Sequence, residues 1–300
     1  MNPSEIITKA IRENRTALTE AEAKVVLKHY RIPVVEEKIV NNINDLNVFA
    51  REMGYPVVLK GLGSRLTHKT ERGLVKLNIK NPDDLQEAAV YIKDAAGDDL
   101  EGFLLQPMLE GKREFVAGLF FDEQFGPVIM FGLGGIFTEA IGDVVFRLAP
   151  LDEEEANRMI SEMSAKKLLK DFRGEKAPDN DALVRVLIGL SEMAMNIPEI
   201  REIDINPLLV SPDGRVTAVD ALIVLGERSL QKTTHVPVKP IAIAKLFYPG
   251  SIAFIGASAD LSKWGQLMYT NVIAGRYAGK VYLVNPKGGE IAGRKAFKTV

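Results

Sequence analysis

The hairpin segment Arg201–Leu225 constrains the fold most, because two strand-forming arms are joined there by a short turn. The turn letters SPDGR suit a three-residue loop, in which a type I turn is followed by a glycine in the left-handed region. Such a loop pairs Ser211 with Arg215. Counting back along both arms then predicts that Asn206 lies opposite Asp220.

The same register predicts a cluster of polar side chains. Asp204 lies two residues before Asn206 on one strand, so both side chains project from the same face. Together with Asp220 they suit a hard cation such as Mg²⁺, which prefers carboxylates combined with substrate phosphates. Two other interpretations remain open. The acids could simply flank an ordinary hairpin, or a two-residue loop could slip the register and turn Asp220 to the opposite face.

Composition narrows the class of protein. The 300 residues are 46% hydrophobic, which is enough for about two domains with real cores. A net charge of −2 with both signs abundant gives no basic surface for nucleic acid and no polybasic membrane patch. The absence of cysteine excludes disulfides, thiolate metal sites and cysteine nucleophiles. Without a signal peptide or a long apolar run, the sequence predicts a soluble intracellular α/β protein.

The first part of the chain is predicted to alternate helices and short strands. Thr19 and Glu22 form a capping box at the start of one helix, and Asn81 followed by Pro82 starts another. The predicted helices cover 20–28, 45–53 and 82 to about 96, and the predicted strands cover 34–40, 57–60 and 74–79.

From Phe103 the chain becomes rich in strands, with the runs FLLQ, EFVAGLF, PVIMF and VVFRL, followed by helices from Asp152 and over 181–195. Residues 227–245 contain two prolines and no periodicity, so we interpret them as a linker. The runs SIAFIGAS and VYLVNP then open a new βα unit. A doubly wound sheet needs more strands than fit before Val300, so we expect a fragment of a longer protein or completion by a partner, and favour the fragment.

Three sites are candidates for phosphate binding. Lys60 ends an apolar strand, where a lysine is awkward unless its ammonium meets an anion or water, and two glycines follow in the letters KGLG. Gly134 and Gly135 end the letters GLGG directly after PVIMF. Gly256 after SIAFI is weaker, because GASADLSKWG lacks the full dinucleotide fingerprint, and a hydride-transfer cofactor is not indicated. The plain alternative for each is an ordinary turn.

Together these features resemble the ATP-grasp domain of NDP-forming acyl-CoA synthetases, which are relatives of succinyl-CoA synthetase. The motifs are Lys60, QPMLEGKRE, FGLGGIFTEA, VVFRLAPL, EIDINPL and AVDA, in that order. The resemblance implies an α/β chain with the ATP-grasp fold over 1–226, made of two α+β lobes at about 16–105 and 106–226. After the linker at 227–245, residues 246–300 resemble the start of a Rossmann-like CoA-binding domain, which is therefore incomplete.

The resemblance also implies ligands and site residues. The ligands are ATP or ADP, Mg²⁺ and coenzyme A. The implied site residues are Lys60 on the phosphates, Gln106 and Met108 at the adenine-side hinge, Glu114 at the nucleotide, Asn206 and Asp220 on Mg²⁺, and Asp204 at a nearby acidic position.

His68, in the letters THKTERG, falls where ADP-forming members carry a relay histidine. The implied reaction is acyl-CoA + ADP + Pi ⇌ carboxylate + CoA + ATP, through an acyl phosphate and a phosphohistidine on the acyl-CoA-handling domain. His68 would then pass the phosphoryl group to ADP. A neutral imidazole is a competent nucleophile near pH 7, and nearby basic side chains could offset the charge of a phosphohistidine. His29 and His235 lack such surroundings and are interpreted as structural or solvated.

The sequence also departs from the usual family pattern. The ATP-grasp domain comes first, the glycine-rich run expected after the histidine is replaced by RGLV, and the ligase domain is absent from these residues. We therefore expect this chain to supply the nucleotide-binding half and to need a CoA-ligase domain, in a longer chain or in a partner subunit. The implied small-molecule partners are a carboxylate, phosphate and CoA. We expect a cytoplasmic oligomer that binds neither nucleic acid nor membrane.

Two other functions remain open on the sequence. An ATP-grasp carboxylate–amine or carboxylate–thiol ligase would use an acyl phosphate without a phosphohistidine. A CoA- or nucleotide-sensing regulatory module would carry a degenerate synthetase-like region, although intact Lys60, His68, Asn206 and Asp220 argue against degeneracy. The sequence distinguishes neither the carboxylic acid nor ATP from GTP.

Overall fold

The computed structural model describes residues 2–66, 72–135, 142–228 and 239–300. The chain divides into two units, Met1–Gln231 and Lys232–Val300. The described helices are α1 Pro3–Arg12, α2 Glu20–His29, α3 Leu46–Met53, α4 Pro82–Ala96, α5 Glu153–Glu162, α6 Asn180–Asn196, α7 Pro240–Phe247 and α8 Trp264–Ala274. None of these described helices combines the length and the apolar character needed to cross a lipid bilayer.

The described strands alternate with these helices, which confirms the expected α/β class. They are β1 Lys38–Val40, β2 Val57–Leu62, β3 Val75–Ile79, β4 Gly102–Pro107, β5 Arg113–Asp122, β6 Gly126–Leu133, β7 Val144–Leu148, β8 Ile200–Val210, β9 Val216–Ala218, β10 Leu222–Leu225, β11 Ser251–Ile255, β12 Lys280–Val284, β13 Glu290–Ile291 and β14 Arg294–Phe297.

The smaller sheet of the first unit has the strand order β1-β4-β2-β3, and each neighbouring pair is antiparallel. Helices α3 and α4 share a core with it that includes Leu59, Ile92 and Leu105. Asn81 caps α4 through its side chain, which explains where that helix begins. We call residues 38–107 the small lobe.

The larger sheet has six strands in the order β10-β8-β5-β6-β7, with β9 paired to β8. Helices α1, α2, α5 and α6 contribute buried side chains to the core of this sheet. Alternate residues of β5, Phe115 and Leu119 among them, lie in that core, so Glu114 belongs to the opposite, open face. We call this sheet with its four helices the large lobe.

Helix α2 lies at the boundary between the two lobes. Leu27 packs in the large-lobe core. From another side of the same helix, Ala21 packs against Leu62 of β2 and Leu104 of β4. The predicted first lobe at 16–105 therefore contributes side chains to two separate cores.

The second unit has a sheet of its own. Strands β11, β12 and β14 are parallel, and β13 pairs antiparallel with β14. Helix α8 follows β11, and the small core includes Tyr269 and Leu283. Parallel strands with a following helix are the βα organisation predicted from the runs SIAFIGAS and VYLVNP.

Three elements differ from the sequence-based prediction. Helix α1 was not predicted, although Asn2 and Glu5 form a capping box at its start. Strand β1 is shorter than the predicted strand over 34–40, because Val34 makes only an isolated bridge to β9. Helix α7 begins inside the predicted linker at Pro240, since proline suits the first turn of a helix.

Candidate functional site

The hairpin of β8, β9 and β10 has the predicted register. Leu208 pairs with Ala218 in one ladder and Asp204 pairs with Leu222 in the other, and both ladders follow the same count. The residues between the two ladders, Asn206 and Asp220, therefore lie opposite each other. The turn also has the predicted form, because its glycine has φ +91° and Ser211 donates its backbone N–H to the residue across the loop at 2.9 Å.

The open face at this hairpin concentrates negative charge. Asp204 is half-buried, and burial raises its pKa, with further contributions from the neighbouring carboxylates of Glu202 and Asp220. Within the described ranges, no three His, Cys, Asp or Glu side chains form a ready metal cluster. A site here would instead combine two carboxylates with the Asn206 amide and leave room for phosphate oxygens, which fits Mg²⁺.

Lys60 joins this acidic face from the small lobe. This residue of β2 is only 3% exposed. The Lys60 ammonium lies 2.5 Å from Glu20 Oε1 and 3.5 Å from Asp220 Oδ2. Burial alone would lower the pKa of Lys60, but attraction to Glu20 and Asp220 outweighs it and raises the pKa. A cation held charged beside the proposed metal ligands is suited to phosphate.

A buried polar cluster surrounds Lys60, and sequence reasoning missed most of it. Glu20 Oε1 also accepts from Lys24 Nζ at 2.8 Å. Lys24 donates in addition to Glu37 at 2.6 Å and to the Gln106 side-chain oxygen at 3.3 Å. Glu20 and Lys24 are four residues apart on one helix, and nothing in the neighbouring sequence shows that a second lobe covers them.

The predicted hinge residues lie at the end of β4. The Gln106 side chain is buried in the cluster just described, since it accepts from Lys24. Met108 is half-buried, and its backbone N–H donates to Pro56 O at 3.0 Å. This hydrogen bond holds the segment that connects the small lobe to the large lobe beside the start of β2.

Glu114, Gly134 and Gly135 lie together on the open face of the large sheet. Gly134 donates its backbone N–H to Glu114 O at 2.8 Å. A Cβ atom added to Gly135 would lie 2.6 Å from Glu114 Oε2, and one added to Gly134 would lie 2.7 Å from the Phe115 backbone. Gly135 therefore leaves the space that the Glu114 carboxylate occupies, and Gly134 allows the close approach of the β5 backbone.

His68 lies outside the described residues, as does His235. The chain just before His68 is held by Glu101, whose carboxylate accepts from the Ser64 backbone N–H at 2.8 Å and from the Ser64 hydroxyl. These hydrogen bonds lower the pKa of Glu101. The remaining histidine, His29, is exposed at the end of α2, as expected for a solvated residue.

Gly256 belongs to the second unit. It has φ +85° directly after β11, and its N–H donates to Val284 O at 2.9 Å. A Cβ atom added to Gly265 of α8 would overlap with Gly256 O, so the helix approaches this turn closely. The close approach is typical of the first βα turn of a Rossmann-like unit.

Two protein families match the chain in succession. Residues 9–225 match the family described as an ATP-grasp domain. Residues 250–300 match the family described as a CoA binding domain.

Curated relatives match the same regions. The chain is 45% identical to the acetate–CoA ligase (ADP-forming) I subunit beta of Pyrococcus furiosus, over 74% of this chain and 97% of that protein. It is 38% identical to acetate–CoA ligase (ADP-forming) II of Archaeoglobus fulgidus, over 94% of this chain and 41% of that protein. The second match includes part of the C-terminal unit.

Solved structures agree with these matches. Acetyl-coenzyme A synthetase 1 of Ca. Korarchaeum cryptofilum, in complex with coenzyme A, Ca-AMPCP and HgCl⁺, is similar with a TM-score of 0.71 and 37% identity, over 75% of this chain and 100% of that chain. Another structure of that protein holds coenzyme A and Mg-AMPPCP, with its phosphohistidine segment pointing towards its nucleotide binding site. It has a TM-score of 0.66 and 36% identity over the same shares.

Proposed function

The chain belongs to the ATP-grasp family of ADP-forming acetate–CoA ligases, and from this premise we propose that it is the nucleotide-binding part of an acyl-CoA synthetase. The resemblance seen in the sequence and the ATP-grasp fold followed by a CoA-binding domain are confirmed. The proposed overall reaction is acyl-CoA + ADP + Pi ⇌ carboxylate + CoA + ATP. The observation that carries the proposal is the meeting of Lys60 with Asp220 at the boundary of the two lobes.

The proposed nucleotide site uses residues from both lobes. Lys60 would bind phosphate oxygens, and Gln106 with Met108 would form the adenine-side hinge. Glu114, beside Gly134 and Gly135, would contact the nucleotide from the open face. Gly256, in the second unit, would let coenzyme A approach the backbone.

Asn206 and Asp220 would hold Mg²⁺, with Asp204 as the nearby third acid. When bound, Mg²⁺ would neutralise charge on the phosphate oxygens of the nucleotide. Burial is the main cause of the raised pKa of Asp204, and repulsion from the Glu202 and Asp220 carboxylates adds to it. That repulsion supports the assignment, because a cation among these carboxylates would relieve it. Lys60 would add a positive charge from the small lobe, and phosphoryl transfer requires mainly such positioning and charge neutralisation.

His68 would accept the phosphoryl group. One imidazole nitrogen of His68 forms the N–P bond while the bond from phosphorus to the donor breaks, and the leaving atom is the imidazole nitrogen of the phosphohistidine on the acyl-CoA-handling domain or, in the reverse direction, the β,γ-bridging oxygen of ATP. In the direction of ATP synthesis, the phosphohistidine then returns the group to the terminal oxygen of ADP. The Korarchaeum structure whose phosphohistidine segment points towards its nucleotide binding site supports this role for the corresponding residue.

The test is phosphohistidine formation by the purified chain. We expect incubation with Mg²⁺ and [γ-³²P]ATP to give an acid-labile, base-stable label. His68→Ala should abolish the label, whereas the control His29→Ala, at an exposed position on α2, should keep it. Labelling that survives His68→Ala would show that another residue is phosphorylated. Nucleotide binding without any label would favour a carboxylate ligase or a sensing module instead.

A complete reaction requires an acyl-CoA-handling partner. The Pyrococcus relative is a beta subunit, and the Archaeoglobus relative extends well beyond the part matched here. We therefore propose that a CoA-ligase domain, in the same longer chain or in a partner subunit, forms the acyl phosphate from acyl-CoA and phosphate with release of CoA. A small carboxylate is then released when the phosphoryl group is transferred. We also propose that the protein is a cytoplasmic oligomer. Light scattering of the purified protein would test the oligomeric state.

A further inference from the structure

The buried cluster around Lys60 contains one acceptor that joins two lysines. Glu20 Oε1 accepts from both Lys24 and Lys60, and the Glu20 side chain is only 1% exposed. Glu20 belongs to α2, which packs on the large lobe, whereas Lys60 belongs to β2 of the small lobe. The carboxylate therefore connects the lobes at the point where the proposed phosphate ligand emerges.

Stability alone is a poor reason for this cluster. Removing charges from water costs about as much as pairing them returns, so apolar replacements of buried ion pairs are often neutral or stabilising. Directly beside the cluster, Ala21 already packs on Leu62 and Leu104 without any charge. A buried carboxylate at this boundary is therefore better explained by what it does to Lys60.

Lys60 has a second acidic neighbour, and the two neighbours differ. The Glu20 carboxylate is buried and lies 2.5 Å from the Lys60 ammonium. The Asp220 carboxylate lies 3.5 Å from the same ammonium, and the Asp220 side chain is 39% exposed. Asp220 is also the proposed ligand for Mg²⁺. Without Glu20, the nearest remaining carboxylate for the ammonium would be Asp220, and a lysine bound there would neutralise the charge that should attract the metal.

We propose that Glu20 is a positioning residue, whose carboxylate keeps the Lys60 ammonium no closer to Asp220 than 3.5 Å so that Lys60 can bind phosphate while Asp220 binds Mg²⁺. Glu20 acts through Lys60 rather than on the reacting atoms. This inference rests on the proposed function, since Glu20 has no role here unless Lys60 and Asp220 form the nucleotide site.

The experiment compares Glu20→Gln with Glu37→Gln in the full chain. Glu37 is a matched control, because it belongs to the same cluster but makes its hydrogen bond to Lys24 rather than to Lys60. Each variant is assayed for melting temperature, for the Mg²⁺ concentration that half-saturates ATP-dependent stabilisation, and for the rate of ³²P labelling at saturating Mg·ATP.

We expect both variants to melt at a lower temperature, because each loses a buried charged hydrogen bond. Only Glu20→Gln should label slowly at saturation, by about tenfold, the usual effect of losing one charged hydrogen bond. Only Glu20→Gln should also need more Mg²⁺. Glu20→Asp, which keeps the charge but withdraws it by one methylene, should recover part of the rate.

The outcomes separate the two proposals. If the wild-type chain is not labelled, the proposed function fails and the role of Glu20 fails with it. If the wild type is labelled and Glu20→Gln merely melts earlier, with a wild-type saturating rate and Mg²⁺ requirement, Glu20 is structural and the inference alone is wrong. Should Glu20→Gln not fold, the same comparison is made with Glu20→Asp, and a wild-type rate and Mg²⁺ requirement there again overturn it.

Discussion

Gly135 and Gly142 share a backbone conformation but differ in their surroundings. Both have positive φ, +69° and +60°. A Cβ atom on Gly135 would meet the Glu114 carboxylate at 2.6 Å, whereas one on Gly142 would meet nothing within 4 Å. The two positions therefore separate the cost of a left-handed backbone from the cost of displacing Glu114.

We predict that Gly135→Ala and Gly142→Ala lower the free energy of unfolding by similar amounts, roughly 1–2 kcal/mol for a non-glycine residue in this conformation. Only Gly135→Ala should also weaken ATP binding, because the methyl group pushes the Glu114 carboxylate aside. The loss should be about tenfold in Kd by calorimetric titration. Equal ATP affinity in the two variants would show that Glu114 does not contact the nucleotide.

Asp220 supplies a second prediction at single-residue scale. Asp220→Asn should weaken Mg²⁺-dependent ATP binding by at least about tenfold, because the metal loses a charged ligand. The control is Glu202→Gln, an exposed carboxylate on the same strand as Asp204. Thermal stabilisation by ATP, titrated with Mg²⁺, gives the measurement. A Glu202 variant as defective as the Asp220 variant would mean that the face attracts Mg²⁺ only through its total charge.

At the scale of elements, the connection between α5 and α6 is held by two buried charged side chains. Arg113 of β5 donates to the backbone oxygens of Leu168 and Lys170 at 3.2 and 3.1 Å. Asp143 accepts from the backbone N–H groups of Ser164 and Ala165 at 2.8 and 2.7 Å. These contacts satisfy a stretch of irregular backbone that would otherwise be under-bonded.

This arrangement predicts a pH dependence. Burial alone would raise the pKa of Asp143, but its hydrogen bonds to Ser164 and Ala165 outweigh burial and lower it. Because the folded pKa lies below the unfolded one, the stability that Asp143 provides is complete above about pH 4 and is lost as the pH falls through the folded pKa. Asp143→Asn should therefore lower the free energy of unfolding at neutral pH. In urea unfolding measured at successive pH values, that free energy should also fall less steeply toward acid pH in the variant than in the wild type.

The control for that measurement is Asp152→Asn, because asparagine caps a helix as well as aspartate does and the α5 cap should survive. If the free energy of unfolding falls toward acid pH as steeply in Asp143→Asn as in the wild type, other carboxylates govern acid unfolding.

Predictability also differs between kinds of element. The hairpin and the starts of α2, α4 and α5 could be predicted from local sequence, because turns and caps depend on a few neighbouring residues. The role of Glu20 and Lys24 could not be predicted, because both are buried by strands that come much later in the chain. The Mg²⁺ cluster at the hairpin and the phosphate candidates Lys60, Gly134 and Gly135 could be predicted from the sequence itself, whereas the roles of Gln106, Met108 and Glu114 came from the family resemblance.

At the scale of the whole molecule, the two units differ in how much apolar surface they bury. Among its described residues, the first unit has two large cores built from sheets and helices and a small cluster between them. The small core of the second unit is Ala257, Tyr269, Leu283, Ile291 and Ala296, and large side chains such as Trp264 remain exposed. Less apolar burial gives less free energy to offset chain entropy.

We therefore expect two transitions in differential scanning calorimetry, with the second unit unfolding at the lower temperature. Addition of Mg·ATP should raise only the upper transition, since the proposed nucleotide site lies in the first unit. A chain ending at residue 231 should keep the upper transition and its response to ATP. A single transition that ATP shifts as a whole would mean that the units unfold cooperatively.

The three-residue turn of the hairpin has a consequence for how such chains can diverge. Pro212 and Asp213 are exposed, and the hydrogen bond from Lys176 to Pro212 uses the backbone oxygen, so these two residues can be exchanged over generations with small effect on stability. Its length has no such freedom, because losing one residue would carry Asp220 to the side of the sheet away from Lys60. Among active descendants, substitutions should therefore accumulate at Pro212 and Asp213 but not at Gly214, whose φ is +91°, while insertions and deletions should be absent from the turn.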